Sequence, residues 1–213
     1  ADTPVFGRLP VPDGAAVGCF CESDAVYDSF DDGDFARHAE GSGCVYDNRT
    51  QRNAIRKIKV KHDGEYLCFL LRTKQPVTPY DGTGSWMRLY LNTTGGQGYQ
   101  FVLNTHPAPD GTTTLARVTG TDDDLTAADL PDVAAFYEAD GDKFKIKVPL
   151  RALGLDPDGF TVWFKAADSR EPIASVEDFY DKGDVAPLGR MNFVYKGKAL
   201  FSRLESRFCQ TKI

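Results

Sequence analysis

No stretch of the chain runs to about 18 consecutive apolar residues, so no helix of it can span a membrane. No CxxC pair is present, and the three histidines (His38, His62, His106) do not stand at zinc-ligand spacing from the five cysteines, which argues against a structural zinc. There is no G-x-S-x-G elbow, no P-loop, no G-x-G-x-x-G and no H-E-x-x-H, so no catalytic or nucleotide-binding motif is legible. Basic charge is in deficit: Lys and Arg number 25 against 31 Asp and Glu. The net charge of −6 argues against nucleic acid and anionic membranes as partners. With two methionines and three histidines, axial ligands for a haem are scarce as well. The chain opens Ala-Asp-Thr-Pro without an initiator Met or a signal peptide, and is read either as a mature form or as a segment of a longer protein.

What is present is strand-forming. Aromatic content is 12%, and short runs of branched and aromatic residues recur between Gly, Pro and Asp turns. Ser85 to Leu91 and Tyr99 to Leu103 flank a Gly-rich turn around Gly95, Gly96 and Gly98, a hairpin signal. Strict alternation in the first arm puts Met87, Leu89 and Leu91 in the core and Trp86, Arg88 and Tyr90 on the other face. Further strands are expected at Ile55 to Lys61, Glu65 to Thr73, Thr112 to Val118 and Phe160 to Ala167, the last with Trp163 in the core. Val133 to Ala139 and Lys143 to Leu150 form a hairpin across Asp140-Gly141-Asp142, and Leu150 to Leu155 reads as a helical turn. The acidic connection Thr121 to Leu130 has room for another helical turn, and Met191 to Tyr195 with Ala199 to Arg203 closes the fold. The sum is an all-β fold, an antiparallel β-sandwich of jelly-roll or immunoglobulin-like type with long acidic loops and little helix. Residues 1–21 read as a leader or linker packed on the surface, and 22–213 as the domain, with 22–53 an irregular acidic segment. Cys68 is expected to be a small core residue, while Cys19, Cys21, Cys44 and Cys209 can form one or two disulfides in an oxidising compartment.

Several motifs carry a family resemblance: Trp86-Met87-Arg88-Leu89-Tyr90-Leu91, Gly98-Tyr99-x-Phe101-Val102-Leu103-Asn104, and Lys147-Val148-Pro149-Leu150-x-x-Leu153-Gly154. Arg52-Asn53-x-Ile55, Phe164-Lys165-x-Ala167-Asp168, and Asp178-Phe179-Tyr180-x-x-Gly183-Asp184-x-Ala186-Pro187-x-x-Arg190 extend it. In their order and spacing, over roughly residues 24 to 200, the chain resembles the carbohydrate-binding module family 9-like (DOMON-like) β-sandwiches of bacterial polysaccharide-degrading proteins. The resemblance implies a secreted, periplasmic or cell-surface domain that binds poly- or oligosaccharide, attached in some cases to a catalytic domain, with structural calcium in some members. The chain departs from it at Asn92-Thr93-Thr94, where related sequences tend to read Asp-Thr-Asp, which weakens an ion site there.

Sugar recognition needs a flat ring against the C–H face of a pyranose and planar hydrogen-bonding groups for its hydroxyls. The candidate ligand-binding residues are Trp86, Arg88, Tyr90 and Asn104, with Tyr80 and Arg190 from loops and Tyr180 as another loop platform. The alternative is that Trp86 packs into the second face of the sandwich and Arg88 pairs with a carboxylate. Acidic clusters around Gly33 and Gly183 suggest calcium, with Asp32, Asp34, Asp181 and Asp184 as candidate ligands. The alternative there is solvated loops pairing with Arg37, Arg52 and Arg190. The leading expectation is a non-catalytic carbohydrate-binding module or secreted glycan binder. A domain docking on a neighbouring glycoside hydrolase is the second, and a glycan-active enzyme using a carboxylate or His–acid pair the third.

Overall fold

In the structure, a computed structural model, residues 17–18, 20, 24–29, 37–38, 45–46, 51–96, 98–180, 182–189 and 191–199 are described. The strands in chain order are β1 (Ala25–Asp28), β2 (Arg37–His38), β3 (Val45–Tyr46), β4 (Ile55–His62), β5 (Tyr66–Thr73), β6 (Ser85–Asn92), β7 (Phe101–Leu103) and β8 (Thr112–Thr113). They continue as β9 (Leu115–Val118), β10 (Ala127–Asp129), β11 (Ala135–Asp140), β12 (Lys143–Pro149), β13 (Gly159–Ser169), β14 (Asp184–Ala186) and β15 (Phe193–Lys198). One antiparallel sheet runs β1-β4-β5-β12-β11-β8. The other runs β10-β9-β7-β6-β13-β14, with β15 also on β13. The fold is an all-β antiparallel sandwich.

Alternation decides which side chains meet between the sheets. From the first sheet Ile58, Val60, Leu67, Phe69, Leu71, Phe144, Ile146 and Val148 point inward; from the second, Leu89, Leu91, Phe101, Leu103, Val162 and Phe164 do. Phe164 is the hub: Tyr27 meets it edge-on at 5.1 Å and Phe69 at 5.3 Å between ring centroids. Both expected hairpins are present, β6 with β7 and β11 with β12, and the expected helical turn is a 3-10 turn at Leu150–Leu153.

Three expectations need correction. The acidic segment 22–53 is not irregular throughout, because Ala25–Asp28 pairs along β4 as an edge strand. The Thr121 to Leu130 connection contains strand β10, not a helical turn. Cys68 is a small buried core residue, as expected, and burial pushes its thiol up to about 12, which silences it as a nucleophile. Trp163 sits on the outer face of β13 and is half-buried. There the turn residue Gly95 crosses so close that a Cβ on it would come within 3.0 Å of the indole. Of the leader, Val17, Gly18 and Phe20 are described; Val17 is buried with its N–H 3.3 Å from Glu138 Oε1, and Phe20 stacks its ring 5.0 Å from Lys61 Nζ. The other four cysteines lie outside the described residues.

The outer face of the second sheet carries a smaller core of its own. The segment after β13 folds back across it and places Ile173, Phe179 and Tyr180 on Tyr90, Tyr99, Val102 and Leu125. Backbone hydrogen bonds stitch this segment to the β9–β10 connection, from Leu125 N to Ala174 O at 2.6 Å and from Val176 N to Asp122 O at 3.0 Å. The segment after β13 is therefore a wall raised on the sheet.

Candidate binding pocket

β6 is the strand that builds the site, and it does not alternate as its sequence predicts. Ala167 pairs with Arg88 but Ser169 pairs with Ser85, so Trp86 and Met87 together oppose the single residue Asp168. This is a β-bulge, with Met87 at φ 44°. The bulge turns Trp86 inward beside Met87, while Ser85, Arg88 and Tyr90 stay on the outer face. Trp86, expected on the sugar-facing side, is only 3% exposed. Its indole N–H donates to Thr78 O at 2.7 Å, and Tyr80, Tyr137 and Phe144 pack around the ring at 5.6, 5.5 and 5.2 Å. Trp86 is thus a core residue with no face for a ligand, and Tyr80 is occupied as its cover.

Two buried polar side chains hold the bulge. Asn104, at φ 73°, donates from Nδ2 to Trp86 O at 2.9 Å and Met87 O at 3.3 Å, and its Oδ1 accepts from Thr113 Oγ1 at 2.8 Å. Asp168 accepts Met87 N–H at 3.1 Å and Asn53 Nδ2 at 3.0 Å on Oδ1, and Arg52 Nε at 2.8 Å on Oδ2. Burial pushes the Asp168 carboxyl above its ordinary value, against the pull of Arg52 and Asn53. Asn104 is therefore a scaffold residue, not a ligand-binding one. Asp184, a candidate calcium ligand, is likewise buried and accepts Ile55 N–H at 2.6 Å, fixing the start of β4. Asp32, Asp34, Asp181 and Arg190 lie outside the described residues, and among the described residues no group of three His, Cys, Asp or Glu side chains gathers as a metal site. Tyr180 is buried in the outer core.

Arg88 and Tyr90 remain, and the structure brings them together. With Val102, Thr105, His106, Leu125, Ala127, Asp129 and Ile173 they line a cavity of about 200 Å³ at the edge of the outer core. Strand register explains the grouping: Tyr90 pairs with Val102, Val102 with Ala116, and Ala116 with Asp129, so a row across four strands ends at the pocket rim. Apolar Val102, Leu125, Ala127 and Ile173 line one part, and polar Arg88, Thr105, His106 and Asp129 the rest.

The polar groups are not equally engaged. Asp129 accepts His106 Nδ1 at 3.0 Å and Thr105 Oγ1 at 3.1 Å. Asp178, in the wall, accepts the N–H groups of Ala174 and Ser175 and pairs with Lys182 Nζ at 2.9 Å. Burial alone would raise the Asp178 carboxyl, but Lys182 and the two N–H groups hold it below its ordinary value. By contrast Arg88 Nε and the Tyr90 hydroxyl are buried with no hydrogen-bond partner among the described residues. The hydroxyl feels both Arg88 and Ser85 but closes a hydrogen bond to neither. Its phenol is raised by burial, so it stays protonated and able to donate at neutral pH. A buried polar atom left unpaired costs about 1–3 kcal/mol, so two beside one cavity call for an explanation.

Arg88 and Tyr90 were legible as amphipathic positions of β6. Thr105, His106, Asp129 and Ile173 were not, because their approach depends on the β7-β9-β10 order and on the wall after β13. No protein-family model, curated protein or solved structure matches the chain.

Proposed function

We propose that the chain is a non-catalytic carbohydrate-binding domain and that its ligand sits in the Arg88–Tyr90 pocket. The observation that carries the reading is the convergence, in one concavity with an apolar wall, of donor groups that no described residue satisfies. Sugars have both faces such a pocket serves, C–H surface for Val102, Leu125 and Ile173 and hydroxyls for Arg88, Tyr90 and Thr105. The volume is below the ~300–1,000 Å³ of pockets for drug-sized ligands, which suits a single ring at the end or side of a chain. Binding leans on polar contacts over aromatic stacking, since Trp86 is covered, and affinity is weak because a small wet site recovers little area. The resemblance to family 9-like modules points the same way, and calcium is not needed for this pocket.

One observation favours a second reading. His106 and Asp129 form a His–acid pair at the rim, and a histidine oriented through Nδ1 keeps Nε2 for proton transfer. The His106 side chain is 70% exposed, so it lies open to solvent at the rim of the pocket.

The test is a glycan array on purified protein, with and without calcium, comparing wild type and Arg88→Gln. The expected result is saturable binding to a restricted set of glycans that Arg88→Gln weakens by about tenfold or more. Silence from folded protein overturns the reading in favour of a docking domain, and shortened glycans recovered after incubation overturn it in favour of an enzyme.

A further inference from the structure

We propose that this pocket selects acidic sugars, with the carboxylate of a uronic acid seated on Arg88 and Tyr90; the inference rests on the sugar-binding reading above. Charge accounting around the site leads there. The acids near the pocket are already engaged, Asp129 by His106 and Thr105, and Asp178 by Lys182 and two backbone N–H groups. No carboxylate among the described residues pairs with Arg88, although the chain holds 31 Asp and Glu against 25 Lys and Arg. In an acidic protein, a guanidinium lining a cavity with no carboxylate against it among the described residues is a charge that a ligand can compensate.

Its geometry narrows the partner further. A guanidinium is a planar fork of donors, and the buried atom without an acceptor is Nε, one tine of the side-on pair that grips a carboxylate through two parallel hydrogen bonds. The Tyr90 hydroxyl, 1% exposed as a residue and adjacent to Arg88, supplies another donor to the same place. Neutral hydroxyls would satisfy these donors one at a time and leave the cation uncompensated. A carboxylate satisfies them and cancels the charge. The carboxylate must come on a compact body with apolar C–H surface to rest on Val102, Leu125, Ala127 and Ile173, and a pyranose ring is such a body. A free inorganic oxyanion would use the donors and leave that wall uncovered.

The experiment is competition saturation-transfer NMR with glucuronate, galacturonate, glucose, galactose and sodium sulfate on wild type, Arg88→Gln and Tyr90→Phe. Circular dichroism verifies that each variant is folded, and Tyr90→Phe removes one oxygen only. The expected result is that uronates bind at least about tenfold tighter than their neutral counterparts. Arg88→Gln should abolish that preference by weakening uronate binding more than neutral-sugar binding, and Tyr90→Phe should reduce it severalfold. Equal binding of acidic and neutral sugars overturns the selectivity and leaves the sugar reading standing. No binding of either kind overturns both. Sulfate displacing the uronates at equal strength overturns the uronic acid in favour of a simple oxyanion site.

Discussion

The least conventional charge in the domain is Lys165. It points to the outer face of β13, is fully buried, donates from Nζ to Pro187 O and sits 5.4 Å from the Phe179 ring. No carboxylate among the described residues pairs with it, and burial pulls its amine from 10.5 down to about 7. The unfolded chain therefore keeps this proton up to about pH 10.5, whereas the folded domain releases it near pH 7. Between those values the unfolded state binds more protons, so stability rises with pH, by at most ~1.4 kcal/mol per pH unit. Below about pH 7 both states are protonated and the whole cost of the buried charge is present. Urea unfolding of wild type and Lys165→Met from about pH 6 to about pH 10 tests this. The variant should be the more stable protein at the acidic end, and its advantage should shrink steadily above neutrality. An advantage independent of pH would show that Lys165 is charged throughout.

At the scale of elements, the bulge in β6 decides which residues can meet a ligand. Without it Trp86 would share a face with Arg88 and Tyr90, as strict alternation expects. With two residues opposite Asp168, the indole goes inward and the pocket keeps the guanidinium and the phenol. Asn104 tolerates a left-handed backbone better than most residues and satisfies both bulge carbonyls. Asn104→Ala should therefore cost about 2–4 kcal/mol, from lost hydrogen bonds to buried carbonyls and from strain at φ 73°, and should shift the Trp fluorescence spectrum. Chemical denaturation with fluorescence detection reads both, and a change within ~0.5 kcal/mol would mean the bulge needs no stitching. Similarly, Asn92 organises the hairpin turn, with Nδ2 donating to Gly96 O and Gly98 O and Oδ1 accepting the N–H groups of Thr94 and Gly95.

Such elements show how far a sequence carries. The alternating runs of β4 and β12 and the apolar runs of β5 and β13 announced their strands, each bounded by polar turns. β1 did not, since four residues on an edge with Ala25 and Tyr27 packed against the core leave a weak pattern amid acidic neighbours. The inward turn of Trp86 was unreadable because a bulge is fixed by long-range partners, here Asp168 and Asn104. Trp163 misled for the converse reason: flanking apolar residues on the core face made it look interior. Arg88 and Tyr90 were readable as candidates, but their neighbours come from strands and loops far apart in the chain.

For the whole molecule, the two faces of the sandwich differ in kind. The outer face of the first sheet aligns Lys57, Arg72 and Lys143 in one row across three strands and Lys59, Leu70 and Lys145 in the next. Lys57 pairs with Asp28, Arg72 with Asp142 and Lys145 with Glu138, so this is a face of surface ion pairs. The second sheet instead carries the outer core, the wall and a pocket with unsatisfied donors. On the proposed function, the first sheet is the frame and the second carries the recognition surface. The direct measurement is a ¹H–¹⁵N correlation spectrum titrated with glucuronate. The account predicts saturable shifts confined to β6, Thr105 and His106, β10 and the wall around Ile173, with the first sheet unmoved. Saturable shifts centred on Trp163 and the Gly95 turn, or on the lysine rows of the first sheet, would contradict it.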